Sequence, residues 1–324
     1  MKRVTRLSPV LLALGYSAPP MSTAFQGLTP RVAALLLVPP LLWAGNATVG
    51  RLIHELISPM TLNFLRWVLA FVLLLPLAWP MLKADSPIWG AWKRYAVLGF
   101  LGVGCYNSLQ YMALKTSTPI NVTLVASSTP VFMLGLGALF FKQRIHARQL
   151  LGSVLSIAGV LLVLCRGDVQ TLAQVELVMG DVLVLIATAA WAWYSWLLAQ
   201  PRDPMAVRSN WAYFLMAQML FGLVWSGAFS AAEWLSTDSG VMVWGWPLAA
   251  ALVYVAVGPA LLAYRCWGLG VQQVGPSVAG FFANLTPLFA ALFSTWVLGD
   301  VPQLYHALAF VLIVGGIVVS SRSA

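Results

Sequence analysis

The sequence carries little charge: only 8% of its 324 residues are Asp, Glu, Lys or Arg, whereas 60% are hydrophobic. An average soluble domain has roughly 25% charged residues. A soluble protein of this length would have too few polar side chains to cover its surface. The shortage of charge therefore excludes an ordinary soluble protein and predicts an all-α integral membrane protein.

Acidic residues are missing from the middle of the apolar runs. Glu55, Asp181 and Asp300 all lie near the ends of such runs. Proton relays in membranes generally use carboxylates within the spans. This absence disfavours proton-coupled efflux of cations and favours facilitated transport or exchange of a neutral, zwitterionic or anionic solute.

Cysteine and histidine are sparse, with three residues of each type. Cys105, Cys165 and Cys266 have no paired spacing, and the histidines lie near span ends without a metal-ligand pattern. The chain also lacks HExxH and a phosphate-cradling glycine loop. We expect no metal, no cofactor and no enzymatic activity.

Long apolar runs are abundant. A membrane-spanning helix needs about 20 apolar residues. The runs predict ten spans, at 31–51, 60–82, 94–114, 119–141, 148–165, 180–200, 210–230, 247–270, 276–298 and 304–321.

The placement of Lys and Arg predicts the topology, because cytoplasmic loops keep the positive charge. With the N-terminus inside, the inner segments hold Lys2, Arg3, Arg6, Arg31, Lys83, Lys93, Arg94, Lys142, Arg144, Arg148, Arg202, Arg208 and Arg322. The outer segments hold only Arg51, Lys115 and Arg166. Both termini are therefore predicted to be cytoplasmic, in a bacterial inner membrane. This pattern explains the net charge of +9 better than nucleic-acid binding does.

One long unit occurs twice. The segment PINVTLVASSTPVFMLGLGALFF (119–141) is echoed 157 positions later by PSVAGFFANLTPLFAALFSTWVL (276–298). Thr129-Pro130 aligns with Thr286-Pro287, and the register continues downstream. Five spans per unit is an odd number, so the second unit enters the membrane inverted. Two inverted five-helix repeats are typical of secondary transporters, which hold substrate between the repeats.

The predicted organisation has four parts. Residues 1–26 form an N-terminal extension, expected to be disordered; its start resembles a signal peptide but is broken by Pro9 and Gly15, and Met21 is an equally good start. The first repeat covers 27–167, a periplasmic linker covers 168–179, and the second repeat covers 180–322.

Several motifs in combination resemble the drug/metabolite transporter superfamily, and specifically its EamA-type ten-helix members. They are LLWAGNATVGR (41–51), LNFLRW (62–67), YMALKTSTP (111–119), TLVASSTPVF (123–132), GSVLSIAGVLLV (152–163), ANLTPLFAALF (283–293) and AFVLIVGGIVVS (309–320). The resemblance implies export or exchange of small metabolites, often amino acids, by alternating access. Family members often have Glu after the fourth or ninth span, where this chain has Gln143 and Asp300.

The paired Thr-Pro motifs are candidates for helix bends. Proline within a helix removes a backbone hydrogen bond, and the freed carbonyl needs another donor in a membrane. Thr129 and Thr286 are available to supply it beside Pro130 and Pro287. Each bend is either a fixed kink or a moving part of the substrate path.

Polar and aromatic side chains deep in the spans are the candidates for substrate contact, because polar groups in lipid must face protein or a water-filled cavity. They are Trp43, Asn46, Asn107, Gln110, Tyr111, Ser127, Trp191, Tyr194, Tyr264 and Asn284. Hydrogen bonding between helices is the alternative role for the polar ones.

Arg66 is the most informative single residue, because a charge about six residues into a span is costly unless it faces a cavity or a partner. It either reaches outward toward Glu55 or binds a substrate carboxylate. The sequence thus predicts a carrier of a small metabolite in the lipid bilayer, with monomer or oligomer left open. A lipid or lipid-linked sugar translocator and a non-transporting membrane protein or enzyme are the alternatives.

Overall fold

The computed structural model describes residues 25, 27–113, 116–117, 119–168, 170, 176, 178–236, 242–298 and 303–321, without the side chains of residues 47, 51, 119, 120 and 294–298. All of the expected N-terminal extension except Phe25 and most of the expected linker at 168–179 lie outside these residues. Within the described ranges the secondary structure is helical and contains no β-strand. The predicted all-α class is confirmed.

The helices are numbered here in chain order. They are α1 (Pro30–Leu52), α2 (Pro59–Ala78), α3 (Trp92–Gly99), α4 (Tyr106–Ala113), α5 (Pro119–Ala126), α6 (Thr129–Phe141), α7 (Ala147–Leu164), α8 (Met179–Ala199), α9 (Met205–Arg208), α10 (Trp211–Ser236), α11 (Trp246–Val255), α12 (Ala263–Val274), α13 (Pro276–Ala283), α14 (Thr286–Leu298) and α15 (Leu304–Ser321). Two π-helical segments, Phe100–Cys105 and Ala256–Leu262, join α3 to α4 and α11 to α12.

Nine helical stretches in the described part of the chain are long and apolar enough to cross a membrane. They correspond to nine of the ten predicted spans. The remaining prediction, 94–114, falls on α3, its π-helical segment and α4, which are helical but more polar. Lys93 and Arg94 at the start and Asn107 and Gln110 further along explain why this stretch does not count among the nine.

The predicted spans at 119–141 and 276–298 are each two helices rather than one. The first half ends at Ala126 or Ala283, and the second half begins at Thr129 or Thr286. Proline follows at the start of the second half, where it removes the backbone hydrogen bond that would join the two halves. Each pair of helices still forms one membrane-spanning stretch. The interruption lies at the predicted Thr-Pro positions, and a role of these residues as a bend stays a prediction.

Helices from the two halves of the sequence pack against each other. Helix α7 runs along α15, α2 along α10, α1 along α12 and α14, and α8 along α4 and α6. At the α7–α15 contact, a Cβ atom on Gly152 would lie 2.7 Å from the Gly316 carbonyl oxygen, and a Cβ atom on Gly316 would lie equally close to the Gly152 carbonyl oxygen. Glycine is required on both sides because the backbones touch.

One end of the bundle carries a buried charge network, and we call it the basic end. Asp203, whose side chain is fully buried, binds Arg94 Nε at 2.7 Å and Arg208 Nη1 at 3.2 Å. The same arginines donate to backbone carbonyls at the end of α8, including Leu197 and Gln200. Cations at a helix C-terminus are favourable because of the helix dipole, so the network fixes the end of α8.

At the opposite end, two buried carboxylates hold helix N-termini. Asp181 accepts hydrogen bonds from the Val178 backbone N–H, Asn121 Nδ2 and Ser117 Oγ. Glu233, on α10, accepts one from the Met60 backbone N–H of α2 at 3.1 Å. Both carboxylates therefore act at helix ends and not in the interior of a span.

The outer surface of the bundle is apolar. Leu139 is 77% exposed, Val224 68% and Val311 65%, all within long helices. Such a surface suits hydrocarbon rather than water, in agreement with a multi-pass membrane protein.

Candidate functional site

Seven aromatic rings from five helices form one cluster, which we call the aromatic cluster. Its members are Trp43, Trp67, Tyr106, Trp191, Tyr194, Tyr264 and Trp267. Trp191 is the hub, with ring centroids 4.7 Å from Tyr106, 5.3 Å from Trp43 and 5.5 Å from Tyr264. Pairs at such distances attract by roughly 0.5–1.5 kcal/mol beyond the area that they bury, so the rings hold one another in place.

The π-helical segments provide the backbone acceptors of this cluster. The Tyr264 hydroxyl donates to the Gly102 carbonyl oxygen at 2.5 Å, and Trp43 Nε1 donates to the Pro259 carbonyl oxygen at 3.3 Å. A π-helical turn changes the pairing of its carbonyls and often occurs at functional sites. Each π-helical segment therefore orients one aromatic ring of the cluster.

Further hydrogen bonds fix the polar edges of the rings. Trp267 Nε1 donates to Ser195 Oγ at 3.1 Å, and the Tyr194 hydroxyl donates to Gln218 Oε1 at 2.8 Å. On α4, Gln110 Nε2 donates to the Tyr106 hydroxyl at 3.1 Å. The cluster is thus an apolar wall with polar edges, most of them hydrogen-bonded, which is the usual composition of a small-molecule site.

Arg66 lies beside this wall. Its side chain is buried, with 2% of the residue exposed, and no ion pair or hydrogen bond to it occurs among the described residues. Its guanidinium carbon lies 5.2 Å from the Trp67 ring, and it interacts electrostatically with the hydroxyls of Tyr106 and Tyr264. The outward reach to Glu55 is wrong, because the Glu55 side chain is 86% exposed and lies near His54.

The structure brings most of the predicted contact residues together. Trp43, Trp191, Tyr194 and Tyr264 belong to the cluster itself. Asn107 lies beside the Tyr264 hydroxyl, Tyr111 lies close to the same group, and Gln110 binds Tyr106. These residues form one neighbourhood with Arg66.

Three predicted residues lie elsewhere. Asn284 Nδ2 donates to the Ser127 carbonyl oxygen at 3.1 Å and to Ser156 Oγ at 2.9 Å, so it joins the two broken spans to α7. Asn46 is partly exposed on α1 and makes no hydrogen bond within the part of the chain that the structure describes. Their contact with substrate stays a prediction.

The Thr-Pro motifs lie at the breaks of the two spans. Thr129 Oγ1 donates to the Ala126 carbonyl oxygen at 2.6 Å, which is the carbonyl that Pro130 leaves without its helical N–H. Thr286 begins α14 in the same way, with Pro287 next to it, but makes no such bond among the described residues.

A cleft leads from the aromatic cluster toward the basic end. It lies between α8, α10 and α12, is open to the outside, and has a cavity volume of only about 20 Å³. Its lining includes Tyr194, Tyr264 and Gln218 at the cluster and Arg208 and Trp211 at the basic end. In this conformation the cleft has room for little more than a water molecule.

The sequence-based prediction missed Trp67 and Tyr106. Trp67 follows Arg66 directly, and Tyr106 lies four residues before Gln110, which puts the two on one face of a helix. That spacing was the available signal. Both residues are part of the cluster, because Trp67 links α2, and Tyr106 links α4, to the second half of the chain.

Similar proteins are transporters. Residues 31–165 and 178–322 match the model of the EamA-like transporter family. A protein of Archaeoglobus fulgidus named as an uncharacterized transporter is 25% identical over 285 residues, which cover 87% of this chain and 94% of that protein. YddG of Ancylobacter novellus, named as an aromatic amino acid exporter, is 24% identical over 248 residues, 75% of this chain and 79% of YddG.

A solved crystal structure shares the fold. It aligns with a TM-score of 0.67 at 21% identity, over 90% of this chain and 96% of that one. The family match covers most of this chain in two stretches. The chain therefore belongs to the EamA-like transporter family, within the drug/metabolite transporter superfamily, and is a multi-pass membrane transporter rather than an enzyme.

Proposed function

We propose that this protein is a secondary transporter that exports or exchanges a small metabolite, an amino acid or similar solute, across the bacterial inner membrane by alternating access. The observation that carries the proposal is the aromatic cluster. Trp43, Trp67 and Tyr106 come from the first half of the chain, whereas Trp191 and Tyr264 come from the second. A site between two halves is where such carriers bind substrate.

The proposal includes ten spans in two inverted repeats. Gly102 and Pro259 are 157 positions apart, which is the offset of the sequence repeat. Both lie in π-helical segments, and both accept a hydrogen bond from the aromatic cluster. Matched acceptors at matched positions support a pseudo-two-fold relation between the halves.

Contacts between the repeats have the same symmetry. Under the 157-residue offset of the repeat, Gly152 corresponds to Ala309 and Gly159 corresponds to Gly316. Gly152 touches the Gly316 carbonyl oxygen, and a Cβ atom on Gly159 would lie 2.9 Å from the Ala309 carbonyl oxygen. A two-fold axis converts the first contact into the second, as the inverted arrangement requires.

In the proposed mechanism, one repeat rocks against the other around the cluster. The breaks at Thr129-Pro130 and Thr286-Pro287 allow the halves of each broken span to move separately. In this mechanism, the cleft toward the basic end widens to admit the solute from that side. With both termini cytoplasmic, as the charge distribution predicts, this cleft faces the cytoplasm.

The chemistry of the cluster favours a solute with an apolar or aromatic part. The name of YddG, an aromatic amino acid exporter, agrees with this substrate class. The buried carboxylates Asp181 and Glu233 cap helix ends, so a buried acid beside the cluster is absent among the described residues. A proton-coupled exporter of cations is disfavoured on that basis.

The test is counterflow of labelled solutes in proteoliposomes containing the full-length protein. Amino acids, organic acids, sugars and nucleosides would be compared. Trp191→Ala should abolish saturable flux, whereas Trp225→Ala should preserve it, because Trp225 packs on Phe100 outside the cluster and is 40% exposed. Absence of flux for every solute class would overturn the proposal.

A second candidate is translocation of a lipid or lipid-linked sugar. It is favoured by a second, open cleft between α1 and α12, whose lining includes Arg31, Val38, Arg265 and Leu269. Arg265 and Leu269 also line the cleft below the cluster. The second cleft gives a lipid headgroup a lateral route toward the cluster. Movement of a fluorescent phospholipid between leaflets, stopped by Arg265→Glu, would favour this candidate over a carrier of soluble metabolites.

A further inference from the structure

The neighbourhood of Tyr264 contains two buried hydrogen-bond donors without an acceptor among the described residues. They are Arg66 Nε and Trp67 Nε1. A buried polar group without a hydrogen bond is costly, and a buried unpaired cation more so. Such groups persist in a folded protein when another molecule satisfies them in the working state.

Both donors lie on α2 and beside one tyrosine. The Trp67 ring lies 4.9 Å from the Tyr264 ring, at 85°. Asn107, on α4, is hydrogen-bonded to the Tyr264 side chain, and Arg66 lies near the same hydroxyl. The Tyr264 hydroxyl already donates its proton to the Gly102 carbonyl oxygen. Its oxygen can accept a hydrogen bond from a neighbouring donor, but the group has no further proton to donate.

The charge of Arg66 identifies the chemistry of the missing partner, because a guanidinium is permanently positive. A buried acceptor, Asn63 Oδ1, lies one helical turn before Arg66 and also has no partner among the described residues. A neutral amide oxygen does not neutralise the charge of Arg66. A carboxylate has two oxygens that accept several hydrogen bonds and a charge that neutralises the guanidinium. A neutral solute would leave the charge of Arg66 buried and unpaired.

We infer that Arg66 and Trp67 bind the carboxylate of the transported solute, with its apolar part against the aromatic cluster. This inference rests on the proposed transport function and deepens it. Arg66 supplies the charge and Trp67 Nε1 donates a further hydrogen bond. The solute class is thereby narrowed from neutral, zwitterionic or anionic metabolites to those that carry a carboxylate beside an apolar or aromatic group.

The experiment compares two solutes of nearly the same shape, 3-phenylpropanoate and its neutral amide, 3-phenylpropanamide. Binding to the purified full-length protein would be measured by thermal shift and by inhibition of flux. The wild type should prefer the carboxylate. Arg66→Gln should reduce that preference about tenfold or more, and Trp67→Phe about fivefold, following the strengths of charged and neutral hydrogen bonds.

The stability of the ligand-free protein gives a second readout. Arg66→Gln removes an unpaired buried charge, so its melting temperature should equal or exceed that of the wild type. A structural arginine would give the opposite sign. Arg144→Gln, at an exposed position on the loop after α6, is the control with the same charge change, and it should leave the carboxylate preference intact.

The inference is overturned if the wild type binds amide and carboxylate equally, or if Arg66→Gln keeps the preference. It is also overturned if Arg66→Gln lowers the melting temperature while the remaining folded protein still discriminates. These outcomes leave transport itself intact, whereas loss of all solute flux in the wild type would overturn the transport function instead.

Discussion

Asn284 Nδ2 donates a hydrogen bond to the Ser127 carbonyl oxygen at 3.1 Å, and the two residues are separated by 157 positions. This number is the offset of the sequence repeat, so each residue binds its own counterpart. The proposed two-fold relation between the repeats would give residues on its axis this property. The contact joins the breaks of the two interrupted spans, one from each half of the chain.

The hydrogen bonds of Asn284 should stabilise the bundle. Asn284→Ala leaves the Ser127 carbonyl and Ser156 Oγ without their donor. Hydrogen bonds between membrane helices contribute on average about 0.6 kcal/mol and at most about 1.7 kcal/mol. We expect a coupling energy in this range between Asn284→Ala and Ser156→Ala, measured by a double-mutant cycle of unfolding in detergent.

The matched control for this measurement is Asn46→Ala. Asn46 makes no hydrogen bond among the described residues, so its replacement should change the free energy of unfolding by less than about 0.5 kcal/mol. Equal effects of Asn46→Ala and Asn284→Ala would show that the contact between the breaks contributes nothing.

Two neighbouring glycines on α15 should respond in opposite ways to alanine. A Cβ atom at Gly316 would lie 2.7 Å from the Gly152 carbonyl oxygen, whereas one at Gly315 would meet nothing within 4 Å. Gly316→Ala should destabilise the protein by about 1–3 kcal/mol through overpacking. Gly315→Ala should be neutral or stabilise it by up to about 1 kcal/mol, because alanine favours the helix.

Thermal unfolding of both glycine variants in the same detergent measures this difference. A Gly316→Ala variant as stable as Gly315→Ala would mean that α7 and α15 are not in backbone contact in the folded protein.

The charge network at the basic end should be important for stability. Asp203 is fully buried between Arg94 and Arg208, and burial lowers the pKa of the Arg208 guanidinium while Asp203 opposes that shift. Asp203→Asn leaves two cations without their counter-charge, which typically costs about 3–5 kcal/mol for a buried pair. Thermal unfolding should show a large loss of stability.

Glu55→Gln is the control for Asp203→Asn. Glu55 and His54 form an exposed pair at 3.9 Å, and exposed pairs contribute little to stability. If the two variants unfold at the same temperature, the network at the end of α8 has no structural role.

The prolines at the breaks should matter for transport more than for folding. In Pro130→Ala the new backbone N–H can bond to the Ala126 carbonyl, which now accepts from Thr129 Oγ1. The two halves of the span would then tend to join into one stiffer helix. We expect Pro130→Ala and Pro287→Ala to slow solute flux several-fold, with folded yield changed by less than about twofold.

Pro76→Ala tests whether any proline in a span has this effect. Pro76 lies inside α2, away from the two breaks, and its replacement should leave the flux unchanged. Flux that is unaffected in Pro130→Ala and Pro287→Ala would contradict a moving bend.

Part of the candidate site was accessible from sequence. Aromatic residues deep in apolar runs are conspicuous, so Trp43, Trp191, Tyr194 and Tyr264 could be named in advance. Trp67 and Tyr106 were not named. Hydropathy does not encode helix rotation, which decides whether a residue within an apolar helix contacts lipid or protein, and only their spacing from Arg66 and Gln110 gave a signal. The π-helical segments change this rotation by inserting a residue into the turn, and helical periodicity does not reveal them.

Ser127 and Asn284 show the same limit of sequence-based prediction. The sequence repeat aligned the two residues, and their polarity predicted that they lie inside the bundle. Whether an inward amide contacts a solute or a carbonyl of the other half depends on the distance between two helices. That distance results from packing of glycines and bulky rings far apart in sequence.

By itself, the sequence determined that this chain is a helical membrane protein, because scarce charge and long apolar runs allow no other way to satisfy the backbone. Its repeat and motifs also indicated the family. Only the tertiary structure decided that the helix is interrupted within the 119–141 and 276–298 spans, that Asn284 binds Ser127, and that Arg66 lies buried with no acidic partner in the part of the chain that the structure describes. These features depend on which helix faces meet, and that is settled by the packing of the whole bundle rather than by any local stretch of sequence.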